Sequence, residues 1–166
     1  MMKKQLAVVL VAMLAACGGK KDDKSSSSGG GDKGGDKAAA PASSSQKLAK
    51  LGGLSIDFPG EIGDEIGGSG VMIQGEDGVL TVSEAKKPQT VDEAKSDADM
   101  YSPKNFKSEK LGDGWAVTYD NTGGMGANYF VTVQREIGGK TYTCSTTASK
   151  PEQATAVLAA CKSLKK

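Results

Sequence analysis

The chain has 166 residues, with 21 Lys and Arg against 20 Asp and Glu, and it contains no histidine. That charge balance gives no electrostatic drive toward nucleic acid or an anionic surface. Lack of histidine removes the commonest general base near neutral pH and the commonest metal ligand.

Lys3 and Lys4 precede an apolar run from Leu6 to Ala16. As a helix these eleven residues reach roughly 16 Å, about half a hydrocarbon core, so the run is a signal-type h-region rather than a membrane span. It closes on Leu14-Ala15-Ala16-Cys17. Here the chain resembles bacterial lipoproteins, whose lipobox has Leu, two small residues and an obligatory Cys. The resemblance implies cleavage after Ala16, a thioether-linked diacylglycerol on Cys17 and acylation of the new amine. One acyl chain anchors marginally and two or more anchor stably. Gly18 is not the Asp that retains lipoproteins in the inner membrane of enteric bacteria, so the expected address is the cell envelope, at the outer membrane. Removal of residues 1–16 takes away two lysines and no acid, leaving 19 basic residues against 20 acidic ones.

Gly18 to Gln46 is low in complexity, with Ser25-Ser26-Ser27-Ser28-Gly29-Gly30-Gly31 and Ala38-Ala39-Ala40-Pro41, and holds no aromatic or branched aliphatic residue. Such a segment cannot offset the entropy of chain ordering and reads as a disordered spacer. In a Gly/Ser regime it spans roughly 30 Å, enough to hold a domain just off a membrane. Residues 17–46 are thus the lipid-attachment site and linker, and residues 47–166 are one domain of a size that suits one core.

In that domain, Leu54-Ser55-Ile56-Asp57-Phe58 alternates apolar and polar and stops at Pro59-Gly60, as a strand does. Residues 61–69 have no period and read as loop. Val71 to Gln74 and Val79 to Ser83 flank the Glu76-Asp77-Gly78 turn as a hairpin. Thr90 and Glu93 form a capping box that opens a helix, with Val91, Ala94, Ala98 and Tyr101 on one face and Pro103 beyond its end. Asn105 to Leu111 and Trp115 to Tyr119 make a second hairpin, on which Trp115, Val117 and Tyr119 share a face. Asp120 to Gly126 reads as a glycine-rich loop.

Asn128 to Ile137 and Lys140 to Thr147 flank Gly138-Gly139, a two-residue turn that needs positive φ and fixes the register. It sets Val133 opposite Cys144 and Val131 opposite Thr146. A one-residue slip would move Cys144 to the other face. Ser149 and Glu152 box a last helix, with Pro151 in its first turn and Ala154, Val157, Leu158, Cys161 and Leu164 as its apolar stripe. Two independent periods thereby put Cys144 and Cys161 in one layer. An exported, oxidising compartment favours their disulfide, which would add about 3 kcal/mol by chain entropy. A redox-active pair would call for Cys-x-x-Cys spacing and an electropositive site, and the spacing here differs. The sum is an α+β fold, a twisted antiparallel sheet of six to seven strands with two helices packed on it. Across most of residues 50–166 the order of elements is similar to the small α/β sandwiches of the PsbP-like family, mostly non-enzymatic binding and assembly factors. That resemblance carries no site residue.

Candidate chemistry is sparse. Gly67-Gly68-Ser69-Gly70 lacks the Gly-x-Ser-x-Gly spacing of a nucleophile elbow and the Lys-Ser/Thr of a phosphate-binding loop. Asp92, Glu93, Asp97 and Asp99 would diverge on a helix, without the spaced ligands of a calcium loop. Glu61, Asp64 and Glu65 are the candidates for paired carboxylates of glycosidase type. Trp115 and the tyrosines read as core, and the Asn121-to-Gly126 loop as a bridge between two strands, with close approach by a partner at its glycines as the alternative. No catalytic residue, metal site or cofactor is expected. The expected function is a lipid-anchored, non-catalytic binding or assembly module, a monomeric domain that meets an envelope protein or small ligand and no nucleic acid. The alternatives are an envelope hydrolase using carboxylates or a Ser/Lys pair, and a structural surface lipoprotein.

Overall fold

A computed structural model describes residues 45–65, 68–123 and 126–166. Strands β1 (Ser45–Leu48) and β2 (Leu54–Asp57) pair as a two-stranded antiparallel sheet across a 3-10 turn, Ala49–Leu51. A second sheet holds β3 (Glu61–Asp64), β4 (Val71–Gly75), β5 (Gly78–Glu84), β6 (Lys104–Leu111), β7 (Gly114–Gly123), β8 (Gly126–Ile137) and β9 (Lys140–Ala148). Its order is β3-β4-β5-β9-β8-β7-β6, antiparallel throughout. Helices α1 (Val91–Asp99) and α2 (Pro151–Lys162) complete the α+β fold. Among the described residues no helix is long and apolar enough to cross a membrane.

The register is the one the Gly138-Gly139 turn dictates. Both glycines have positive φ, 62° and 77°, and Val133 faces Cys144 while Val131 faces Thr146. Backbone pairing then aligns Ala116, Val133, Cys144, Val82 and Val71 in one line across five strands, all of them buried. Helix α2 lies over this face and contributes Val157, Ala160 and Cys161 to the core. The β1–β2 hairpin adds Leu48, Leu54 and Ile56. It is stitched to the end of α2 by paired Ser55–Lys165 backbone hydrogen bonds of 2.7 and 3.0 Å and by Asp57 N–H donating to Ser163 Oγ at 2.8 Å.

The segment carrying α1 is tied to the opposite face. Trp115 Nε1 donates to Gln89 O at 3.0 Å, and Gln89 N–H donates to the buried Gln134 side chain, also at 3.0 Å. Thr90 caps α1 with the full reciprocal box: its Oγ accepts from Glu93 N–H, and Glu93 Oε2 accepts from Thr90 N–H.

Several local expectations are corrected. Residues 61–64 form a strand, not a loop, because β3 pairs through its backbone with β4 while all four residues stay exposed, leaving no periodic signal. Ser45 and Gln46 pair with Asp57 and Ile56, so they belong to a strand rather than to the spacer. The strands flanking Gly124 and Met125 run on to Gly123 and resume at Gly126, so most of the expected 120–126 loop is ladder. Asn128 Nδ2 donates to Asn121 Oδ1 across that ladder at 3.1 Å. The Ser149–Glu152 box does not form. Lys150 is the N-cap of α2, with Pro151 at the start, and Ser149 Oγ turns to Gln153. Tyr101 lies beyond the end of α1 and is 53% exposed, so of the expected α1 stripe only Ala98 is buried.

Candidate functional site

Cys144, on β9, and Cys161, on α2, form a disulfide with their Cα atoms 5.6 Å apart, and both are fully buried. The strand period and the helix period meet at this bond, which fastens α2 to the middle of the sheet. Burial on all sides suits a structural bridge and gives no access for thiol exchange. Cys17 and its lipobox lie outside the described residues.

The acids considered above do not converge. Glu93 is held by Thr90, and those hydrogen bonds, helped by Lys87, keep its carboxyl below the usual range. Asp97 accepts from Gln89 Nε2 at 2.8 Å, and Asp99 pairs with Lys95 at 3.2 Å. Asp64 pairs with Lys50 at 2.8 Å, while Glu65 accepts from Gly70 N–H at 3.0 Å. Glu61, on the edge strand, is exposed, as is Ser69 in the following loop. Among the described residues no three of His, Cys, Asp and Glu gather to hold a metal. Asp113 sits in the β6–β7 turn and takes both a Nε and a Nη donor from Arg135, whose other Nη donates to Lys162 O at the end of α2. The Arg135 hydrogen bonds hold the Asp113 carboxyl below its usual range. This is a clasp between the turn and the helix.

Two concave surfaces remain. The first is a groove of about 390 Å³ between α2 and the β6–β8 end of the core face. Ala154 and Leu158 give it an apolar wall, and Lys107, Thr118, Asp120 and Tyr129 give it a polar one. Asn105, at φ 51° beside the β6 irregularity, donates to both Asp120 carboxylate oxygens at 3.1 Å and closes one end.

The second lies on the outer face of the sheet. Alternation dictates its composition, since each residue is one step from a core residue. The line Val117, Thr132, Ser145, Thr81, Met72 crosses five strands, next to the line that ends Tyr119, Phe130, Thr147. Thr81 and Ser145 hydroxyls are within 3.2 Å. The rings of Tyr119 and Phe130 are stacked, with centroids 4.5 Å apart and planes 10° from parallel. Phe106 continues the series on one side at 6.3 Å from Tyr119, and Tyr101 on the other at 5.9 Å from Phe130. Lys95 Nζ sits 5.7 Å from the Phe106 ring, within cation–π range.

Where the rings meet the hydroxyl rows there is a depression of about 450 Å³, and none of the described residues lining it is charged. Burial, then the neighbouring Tyr101 and Asp97, pushes the Tyr119 phenol up from its usual pKa, so it stays protonated and able to donate. Such a surface offers stacking and neutral hydrogen bonds rather than proton transfer. Reading the tyrosines as core therefore holds for Tyr142 and fails for Tyr101, while Trp115 is buried as expected. Strand alternation alone puts Phe130 and Thr132, with Gln134, Thr143 and Ser145, on the more polar face opposite Val131 and Val133, and the register agrees. Tyr101 reaches them only through the chain's path after α1. Comparison of the chain with protein-family models, curated proteins and solved structures finds no match.

Proposed function

We propose that the protein is a lipid-anchored, non-catalytic binding or assembly module of the cell envelope, held at the outer membrane through Cys17. The observation that carries this reading is the Leu14-Ala15-Ala16-Cys17 lipobox behind Lys3, Lys4 and an eleven-residue apolar run. The buried Cys144–Cys161 bond supports it, because such bonds form and persist in exported proteins. The likeness in element order to PsbP-like sandwiches points to binding rather than catalysis. So does the outer face, where stacked rings and hydroxyls offer contact to a partner.

Metabolic labelling with a clickable palmitate tests the anchor. The native chain takes up label and fractionates with the outer membrane, while Cys17→Ala accumulates as unlabelled, uncut precursor. Normal maturation of Cys17→Ala would refute the anchor.

A further inference from the structure

We propose that the outer face of the sheet binds a neutral, N-acetylated glycan strand of the kind found in cell walls, laid across β5, β9 and β8 beneath Tyr101. This names the ligand class for the binding module above and rests on that reading.

The first ground is charge. A quarter of the chain's residues are charged, yet the depression carries no charged residue among those described. A nucleic acid, an acidic peptide and a phosphate-bearing headgroup would each need positive counter-charges there, whereas the charge felt at Tyr119, from Asp97, is negative. A neutral ligand needs none.

The second ground is the mixture. Thr132 and Thr147 present hydroxyls, each able both to donate and to accept, beside the Thr81 and Ser145 hydroxyls, which share one hydrogen bond at 3.2 Å and keep the rest of their capacity. Tyr101 and Phe130 flank them with ring carbon. Sugars display the matching pattern, with hydroxyls at the rim of each ring and C–H groups on its faces. A purely apolar partner would bury the Thr132 and Thr147 hydroxyls against carbon, at a cost of roughly 1–3 kcal/mol each.

The third ground is dimension and detail. From Val79 on β5 to Tyr119 on β7 the line crosses three inter-strand gaps, roughly 14 Å, room for a short run of sugar rings. Val79 is 40% exposed and stands among the hydroxyls. It offers an apolar spot for an acetamido methyl, for which a plain glucan has no counterpart. The tyrosines add rigid contact area at small entropic cost, since each has only two side-chain torsions.

The test uses the full, processed protein in a detergent without a sugar headgroup. Chitopentaose, the pentamer of N-acetylglucosamine, is titrated calorimetrically, with cellopentaose as the comparison. Chitopentaose should bind at least tenfold more tightly than cellopentaose. Tyr101→Ala should weaken it tenfold or more, and Lys107→Ala, on the opposite face, should leave it within twofold. No heat with chitopentaose, equal affinity for the two sugars, or indifference to Tyr101→Ala would each overturn the assignment. A photo-crosslinker placed at Thr147 in native envelopes separates this failure from that of the wider reading. A protein adduct without glycan binding rejects the sugar and keeps the binding module. Neither adduct nor glycan binding rejects both.

Discussion

The two faces of the seven-stranded sheet share one backbone and one set of ladder hydrogen bonds, yet they differ by a single residue step. Step one way and the line reads Ala116, Val133, Cys144, Val82, Val71. Step the other and it reads Val117, Thr132, Ser145, Thr81, Met72. The first line is sealed by α2, the β1–β2 hairpin and a disulfide. On the second, α1 and its approach cover the Trp115 end, and the hydroxyl rows stay open to solvent. One face therefore holds the fold together, while the other leaves its hydroxyl rows at the surface.

Substitutions should separate the faces by size of effect. Leu80→Ala, at a position with no exposure, empties the core face and should cost about 4 kcal/mol. An unchanged urea midpoint for that variant would mean that β5 does not pack as described. Replacing both Cys144 and Cys161 with Ala should cost about 3 kcal/mol by chain entropy, read as a lower midpoint relative to the oxidised parent. Gly114→Ala should cost about 2 kcal/mol, because a Cβ there would stand 1.9 Å from the Gln134 carbonyl oxygen, and overpacking of this kind forces the backbone to move. Gly112→Ala, two residues away in open space, is the control that should melt with the parent.

The acid side of the stability profile tests the clasp. Arg135 holds the Asp113 pKa below its unfolded value, near 3.9 for a free Asp. The associated stability is present above that unfolded value and is lost as pH falls through the folded one. Asp113→Asn should therefore flatten the decline in midpoint below about pH 4, while a decline as steep as the parent's would assign it to other carboxylates. The smallest effect belongs to the outer face. Thr147→Ala should change stability by no more than about 0.5 kcal/mol. A large loss there would show that this face is structural after all.

How much was legible depends on where side chains do the pairing. The last hairpin could be read to the residue, because Gly138-Gly139 pins the turn and the alternation of Val131, Val133 and Cys144 has one buried side. Strand β3 could not, since it joins the sheet through backbone pairing with β4 and shows four exposed residues. The Asn121-to-Asn128 ladder failed for a similar reason, as small polar residues pair there without an apolar period. Thr90 and Glu93 formed their box while Ser149 and Glu152 did not, because Lys150 took the cap position and Ser149 fell one residue outside.

The sequence by itself determined the elements whose period or turn chemistry is strong: both helices, the main hairpins and the pairing of the two domain cysteines. Local rules suffice for these, since a period of two or 3.6 names a buried side wherever the chain goes. Only the tertiary structure decided that Tyr101 joins Phe130, Tyr119 and Phe106 in one row of rings. These four residues come from three strands and the end of a helix, and no local period relates them. Their meeting depends on strand order and on the path taken after α1, which are set by long-range packing.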